Sequence, residues 1–87
     1  MFYVYVLKSK KDNKLYYGFT KNLEERVNLH NMGKVRSTKS RRPFVLKYYE
    51  VVKTPSEARK RELYFKSGSG REYIKNLLNN RAPSSKG

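Results

Sequence analysis

Three features of these 87 residues predict an α+β domain in which helices flank a small three-stranded antiparallel sheet, in the order β-β-α-β-α-α. Three runs of β-branched and aromatic residues have strand length. The segments between and after them carry helix start and stop signals. The first two runs are joined by a polar stretch too short for a crossover helix, so they must pair as a hairpin.

Residues 2–8 are almost continuously β-forming, and so is Leu15-Tyr16-Tyr17-Gly18-Phe19-Thr20. Lys8 through Lys14 supplies the turn. A first helix is expected over 22–32, with Asn22 as N-cap, Glu25 completing a capping-box pattern and Gly33 as the stop. Its apolar positions are Leu23, Val27, Leu29 and Met32. Residues 34–43 read as a basic, hydroxyl-rich loop, and 45–53 as the third strand. Thr54, Pro55 and Glu57 open a second helix over 55–67, with proline at the first helical position. The run Ser67-Gly68-Ser69-Gly70 breaks it. Ser69 with Glu72 is the expected cap of a third helix over 70–79, with Tyr73, Ile74, Leu77 and Leu78 inward. One domain over 1–79 and a polar, flexible tail over 80–87 follow.

Composition narrows function before any motif does. Twenty-one Lys and Arg face seven Asp and Glu, for a formal charge of +14. That is the electrostatic footprint of a protein that binds nucleic acid. A membrane surface would also attract it, but no basic amphipathic helix of the surface-lying kind stands out. With no cysteine and one histidine, disulfides, thiolate zinc sites and multi-histidine metal sites are excluded. No apolar run is long enough to span a bilayer, and the N-terminus reads as a strand rather than a signal peptide. Cytoplasmic location and a nucleic-acid partner, with no membrane, are the resulting expectations.

Five residues carry possible chemistry. Tyr5 and Tyr16 lie on the two hairpin strands, and if they pair their phenols share a sheet face. A phenol can move a proton if a cation or base helps it, although tyrosine is also an ordinary strand residue. Arg26 and His30 share a face of the first helix, four residues apart. Taken alone, one could be solvated and the other a buried histidine satisfying a single hydrogen bond. Glu62 is anomalous, because it sits between Ala58 and Phe65 on a stripe that should be apolar. Such a carboxylate needs a cation: Arg26 or another arginine in an ion pair, or a metal ion. The loop cations Lys34, Arg36, Lys39, Arg41 and Arg42 are candidate phosphate contacts, or a solvated charge run.

Together these residues resemble the GIY-YIG nuclease superfamily. Its two short motifs are matched by Tyr3-Val4-Tyr5 and Tyr16-Tyr17-Gly18, with about ten residues between them. Its helix motif is matched by Thr20, Leu23, Arg26 and His30. Gly33-Lys34-Val35, Ser37-Thr38-Lys39, Arg42-Pro43, and Ser56-Glu57-Ala58 with Lys60-Arg61-Glu62 are similar to short bacterial members. These are related to the N-terminal nuclease domain of the excision-repair C subunit. The chain departs at Tyr3, where the first motif has glycine, at Tyr17, and at Phe19, where lysine or tyrosine is frequent.

The resemblance implies a metal-dependent endonuclease that hydrolyses phosphodiester bonds, with DNA favoured over RNA and structured or single-stranded nucleic acid left open as substrate, and with a weakly catalytic or non-catalytic DNA- or RNA-binding module as the alternative. It also implies roles. Glu62 would hold Mg²⁺ or Mn²⁺, Tyr5 and Tyr16 would position and deprotonate water, Arg26 would stabilise the scissile phosphate, and His30 would bind phosphate or assist proton transfer. One glutamate suffices for Mg²⁺ when substrate phosphate and waters supply the other ligands.

Overall fold

A computed structural model of the protein describes residues 1–80, so the tail expected over 80–87 lies outside the described residues except for Asn80, which ends the last helix. The elements are β1 (Phe2–Ser9), β2 (Leu15–Thr20), α1 (Leu23–Asn31), a 3₁₀ helix (Arg36–Arg41), β3 (Phe44–Val52), α2 (Pro55–Lys66) and α3 (Gly68–Asn80). The strands form one antiparallel sheet in the order β2-β1-β3, so the expected α+β architecture holds. β1 is central because its side chains are buried on both faces, with Val4, Val6 and Leu7 wholly inaccessible.

Alternation along β1 builds two cores. Val4 and Val6 point to the face covered by α2 and α3, where they meet Ala58, Phe65 and Ile74. Tyr5 and Leu7 point to the opposite face, where Phe44 joins them and Leu23 and Val27 of α1 pack alongside. Each fully buried aliphatic or phenyl side chain contributes about 1.5–3 kcal/mol of transfer free energy.

The hairpin register differs from the direct pairing of Tyr5 with Tyr16. Tyr5 faces Gly18 and Leu7 faces Tyr16. The offset is two residues, and because side chains alternate with period two both tyrosines still lie on one face. Against β3 the register slips once: Val6 faces Tyr48 while Leu7 faces Leu46, leaving Lys47 as the extra residue of a bulge.

The helix ends follow their caps. Asn22 accepts from the Glu25 backbone amide at 3.0 Å, and Thr54 and Glu57 form a reciprocal capping box on α2. Gly33 takes the left-handed conformation after α1, with φ 79°. Met32, expected on the apolar face, is exposed because α1 stops at Asn31. The basic loop is more ordered than its composition suggests, six of its residues forming the 3₁₀ helix.

The expected cap of α3 is corrected. Ser67, not Ser69, accepts from the Gly70 amide at 3.2 Å, and only Ser67 separates α2 from α3. Gly70 is then a packing residue. A Cβ there would collide with the Tyr64 carbonyl and lie 2.7 Å from Phe65 Cα. The two helices turn this sharply because nothing projects at that point.

Two side chains tie the loops to the sheet. Asn31 pairs with the Phe44 backbone as a strand would, accepting from its amide at 2.6 Å and donating to its carbonyl at 3.1 Å. Ser9, wholly buried, accepts from the Lys11 and Asp12 amides and donates to the Arg41 carbonyl at 2.6 Å. These bonds hold the hairpin turn and the 3₁₀ segment against the end of the sheet, and so set the rim of the site.

Candidate functional site

Tyr5 is the centre of the site. Its side chain is only 3% exposed, in the middle of the central strand, and its hydroxyl meets two groups from α1. His30 Nε2 lies 3.2 Å from the phenol oxygen, and Arg26 Nε donates to that oxygen at 3.4 Å. Spacing by four residues makes this possible, since both side chains leave the same face of α1. Gly18, opposite Tyr5 on β2, leaves room for the phenol ring. A Cβ at Gly18 would overlap the Tyr5 hydroxyl and lie 2.7 Å from its Cζ.

Two hydroxyl groups bracket the His30 ring. Thr38 Oγ1 lies 2.8 Å from Nδ1, and the same hydroxyl donates to the Val35 carbonyl at 3.4 Å. In the tautomer that carries its proton on Nδ1, the ring donates to Thr38 and presents the Nε2 lone pair to the Tyr5 phenol. Burial, seconded by the positive charge of Arg26, pulls the His30 pKa below its ordinary value, so the neutral ring is favoured. The phenol donates to a neutral imidazole while an arginine polarises its oxygen. That is an arrangement for taking a proton away from Tyr5.

Tyr16 stands beside Tyr5 but is wired differently. It packs edge-on against Phe44 and donates to Asp12 Oδ2 at 3.4 Å. Asp12 in turn pairs with Arg41 at 3.3 Å. A hydrogen bond from the Lys14 amide leads the contacts that hold the Asp12 carboxyl below its usual value, so it stays an acceptor.

Glu62 arrives from the other side of the sheet. α2 packs on the face opposite Tyr5, but β2 is an edge strand, and the cleft runs round that edge. Ala58 and Phe65, one turn either side of Glu62, anchor α2 beneath β2 and hold the carboxylate at the border. Tyr5, Tyr16, Arg26, His30 and Glu62 thus line one cleft of about 470 Å³. Lys66 and Arg71 add positive charge to its wall, and Val35, Ser37 and Thr38 close its upper side.

Among the described residues the side chain paired with Glu62 is a lysine, not an arginine. Lys66 Nζ, on the next turn of α2, lies 3.0 Å from Oε2, with side-chain exposures of 50% for Lys66 and 16% for Glu62. Among the described residues no three His, Asp or Glu side chains gather as a metal cage. What is present fits a Mg²⁺-like ion that takes one carboxylate from the protein and oxygens from a bound phosphate and water. A half-exposed lysine on a flexible stem can vacate its position beside that carboxylate.

Of the five candidate phosphate contacts, all exposed, two are already engaged. Arg41 pairs with Asp12, and Arg42 donates to the Lys39 carbonyl at 2.9 Å with its guanidinium folded over Gly33. Lys34, Arg36 and Lys39 lie on the same loop, whose hydroxyl residues border the cleft. Sequence reasoning missed four participants: Asp12, Thr38 as the partner of His30, Lys66 and Arg71. Only Lys66 had a local signal, its i,i+4 spacing from Glu62. A second hollow beside α1, lined in part by Tyr3, Leu23, Leu46 and Tyr49, gathers no comparable set of titratable groups.

The chain is similar to known proteins over most of its length. The model of the GIY-YIG catalytic domain matches residues 1–78. The chain is 47% identical to a UPF0213 protein of Staphylococcus haemolyticus over 84% of its own length and 89% of that relative's. It is 46% identical to a UPF0213 protein of Clostridium perfringens over 76% and 71% of the two lengths. The solution NMR structure of a UPF0213 protein from Bacillus halodurans superposes with a TM-score of 0.54 at 27% identity, covering 98% of this chain and 100% of that one.

Proposed function

Because the chain belongs to the family of the GIY-YIG catalytic domain, we propose that it is a metal-dependent endonuclease that hydrolyses phosphodiester bonds in DNA. The observation that carries this reading is the Tyr5–His30–Thr38 chain: a buried phenol 3.2 Å from Nε2 of a buried histidine, at the floor of a basic cleft.

The chemistry follows from where protons can go. A water held over Tyr5 attacks phosphorus; its proton passes to the phenol oxygen as the phenol proton moves to His30 Nε2. The water oxygen–phosphorus bond forms while the bond to the leaving oxygen breaks. Tyr16, oriented by Asp12, positions the water, and Tyr5 is the base because only its phenol has a proton acceptor that begins neutral. Arg26 turns its fork toward the non-bridging oxygens, whose charge grows in the transition state. Glu62 would hold Mg²⁺ or Mn²⁺, which supplies Lewis-acid stabilisation of the leaving oxygen. Lys66, half exposed on a flexible stem, would yield its place beside Glu62 to such an ion.

The test is cleavage of supercoiled plasmid and of branched and single-stranded oligonucleotides, with Mg²⁺ or Mn²⁺, by the parent and by Glu62→Ala. The variant is expected to bind DNA as well as the parent and to cut none of it. It should also fold normally, since the partner that the variant leaves behind, Lys66, is half exposed and stays solvated. A Glu62→Ala protein that cuts at the parental rate would overturn the mechanism. A parent that binds DNA and cuts no member of the panel would leave the binding-module reading.

A further inference from the structure

The cleft does not end at Glu62. Tyr17 and Arg71, which line it, also line a second groove of about 770 Å³ on the other face of the sheet. That groove carries Lys8, Lys14, Lys47 and Lys75 in addition to Arg71, and no carboxylate lines it. Among the described residues none of these five cations is paired with an acidic side chain. They come from β1, the hairpin turn, β3 and α3, so the cluster is made by folding rather than by a run of like residues. The bulge of β3 falls at Lys47, the extra residue, and bulges serve to re-aim a side chain. Five like charges facing one hollow repel each other, and without a polyanion this arrangement is unfavourable.

We propose that this groove is a second nucleic-acid site, which holds the phosphodiester backbone of the substrate arm that leaves the cleft past Arg71 and Tyr17. The direction of the arm rests on the nuclease reading above; the binding of a polyanionic strand does not. Continuity supports a strand rather than a single small anion, because the two hollows share a wall and together wrap the edge of β2. Tyr17 packs against Phe65 and is half-buried, so it serves as a floor under the backbone and not as a stacking platform for bases. The groove then sets which side of the cut is gripped, and makes cleavage depend on how far the substrate extends beyond the scissile phosphate.

Two triple variants of equal net charge test this. Lys14→Gln/Lys47→Gln/Lys75→Gln empties the groove, while Lys53→Gln/Arg59→Gln/Lys60→Gln removes the same charge from exposed positions outside all three hollows. The probe is a fluorescein-labelled single-stranded oligothymidylate of about 16 nucleotides, the upper end of known groove-tracking sites, titrated over a range of salt. The groove variant is expected to lower the slope of log affinity against log salt by about 2, at ~0.7 per lost phosphate contact. The control variant should lower it by less than half as much. Equal losses in the two variants would mean that diffuse surface charge is responsible, and would overturn the site, as would an unchanged slope in the groove variant. Loss confined to anionic lipid vesicles, with the oligonucleotide slope intact, would also overturn it. The nuclease reading fails separately, through the Glu62→Ala cleavage result, which does not depend on this slope.

Discussion

Gly18→Ala is the most economical perturbation of the site, because it adds one methyl group and removes no group that reacts. The added Cβ overlaps the Tyr5 hydroxyl and lies 2.7 Å from Cζ and 3.2 Å from Cε1. Ordinary contact needs about 3.5–4.0 Å, so the ring must retreat by roughly 1 Å. Tyr5 is 3% exposed, so it has little free space to retreat into. It must give up the 3.2 Å contact with His30 or the 3.4 Å contact with Arg26. Overpacking a core position costs about 1–3 kcal/mol, which for a domain of this size lowers Tm by roughly 8–16 °C at the middle of that range. A misplacement of about 1 Å in a catalytic group lowers rate on the order of 10²-fold. The assay is plasmid cleavage beside a thermal melt and a DNA titration, with Tyr5→Phe as the reference. Gly18→Ala should lose activity as Tyr5→Phe does while DNA binding stays within about twofold. A variant that melts lower yet cuts at the parental rate would refute the idea that the position of the Tyr5 phenol limits the reaction.

Two further predictions use the ionisable groups. Burial pushes the Glu50 carboxyl up, but hydrogen bonds from Arg61 at 2.8 and 3.1 Å and from Tyr48 at 2.6 Å outweigh it and hold the carboxyl below 4.5. A depressed folded value stabilises the protein above the unfolded one, and that stability is lost as pH falls below 4.5 through the folded value. Arg61→Ala should cost ~2–3 kcal/mol, below the figure for a fully buried pair because the guanidinium is a third exposed. In acid titrations followed by circular dichroism, the variant's stability should fall less steeply below that pH, or rise. His30 is likewise depressed, from 6.5, by burial and then by Arg26. Cleavage needs its neutral form, so the acid limb of the rate profile should lie below pH 6.5, and it should disappear in whatever activity His30→Gln retains. An acid limb above that pH would contradict the proton path through His30.

The elements were legible because each start and stop is written in a few adjacent residues. Asn22 with Glu25, and Thr54 with Pro55 and Glu57, cap their helices by local geometry, and the sequence spacing shows it. The cap of α3 was misplaced for an equally physical reason. Serines at 67 and 69 offer the same hydroxyl, and the choice falls to Ser67 because Gly70 must already be helical to fit against the Tyr64 carbonyl. Local chemistry presented two answers, and packing between helices selected one. The hairpin register is a similar case. Alternation fixed the shared face of Tyr5 and Tyr16, whereas the two-residue offset came from the turn held by Ser9 and Asp12.

The site divides along the same line. Arg26 and His30 were legible as a pair since one helix face carries both, and Glu62 was legible as a carboxylate out of place. What the sequence could not show is that Glu62 belongs with residues on the far face of the sheet. That depends on β2 being an edge: a helix under an edge strand can lift one side chain past it, whereas a helix under the central strand cannot. The same edge exposes Tyr17 and Arg71 to both hollows. The expectation that Glu62 requires a cation was sound, and among the described residues the paired side chain is the lysine one turn away rather than an arginine. A lysine is the less committed partner. An arginine fork would hold both carboxylate oxygens and resist displacement, while a half-exposed ammonium on four methylenes shields the charge and can swing away. The residue that keeps Glu62 soluble at the cleft border is therefore also the one that keeps it available.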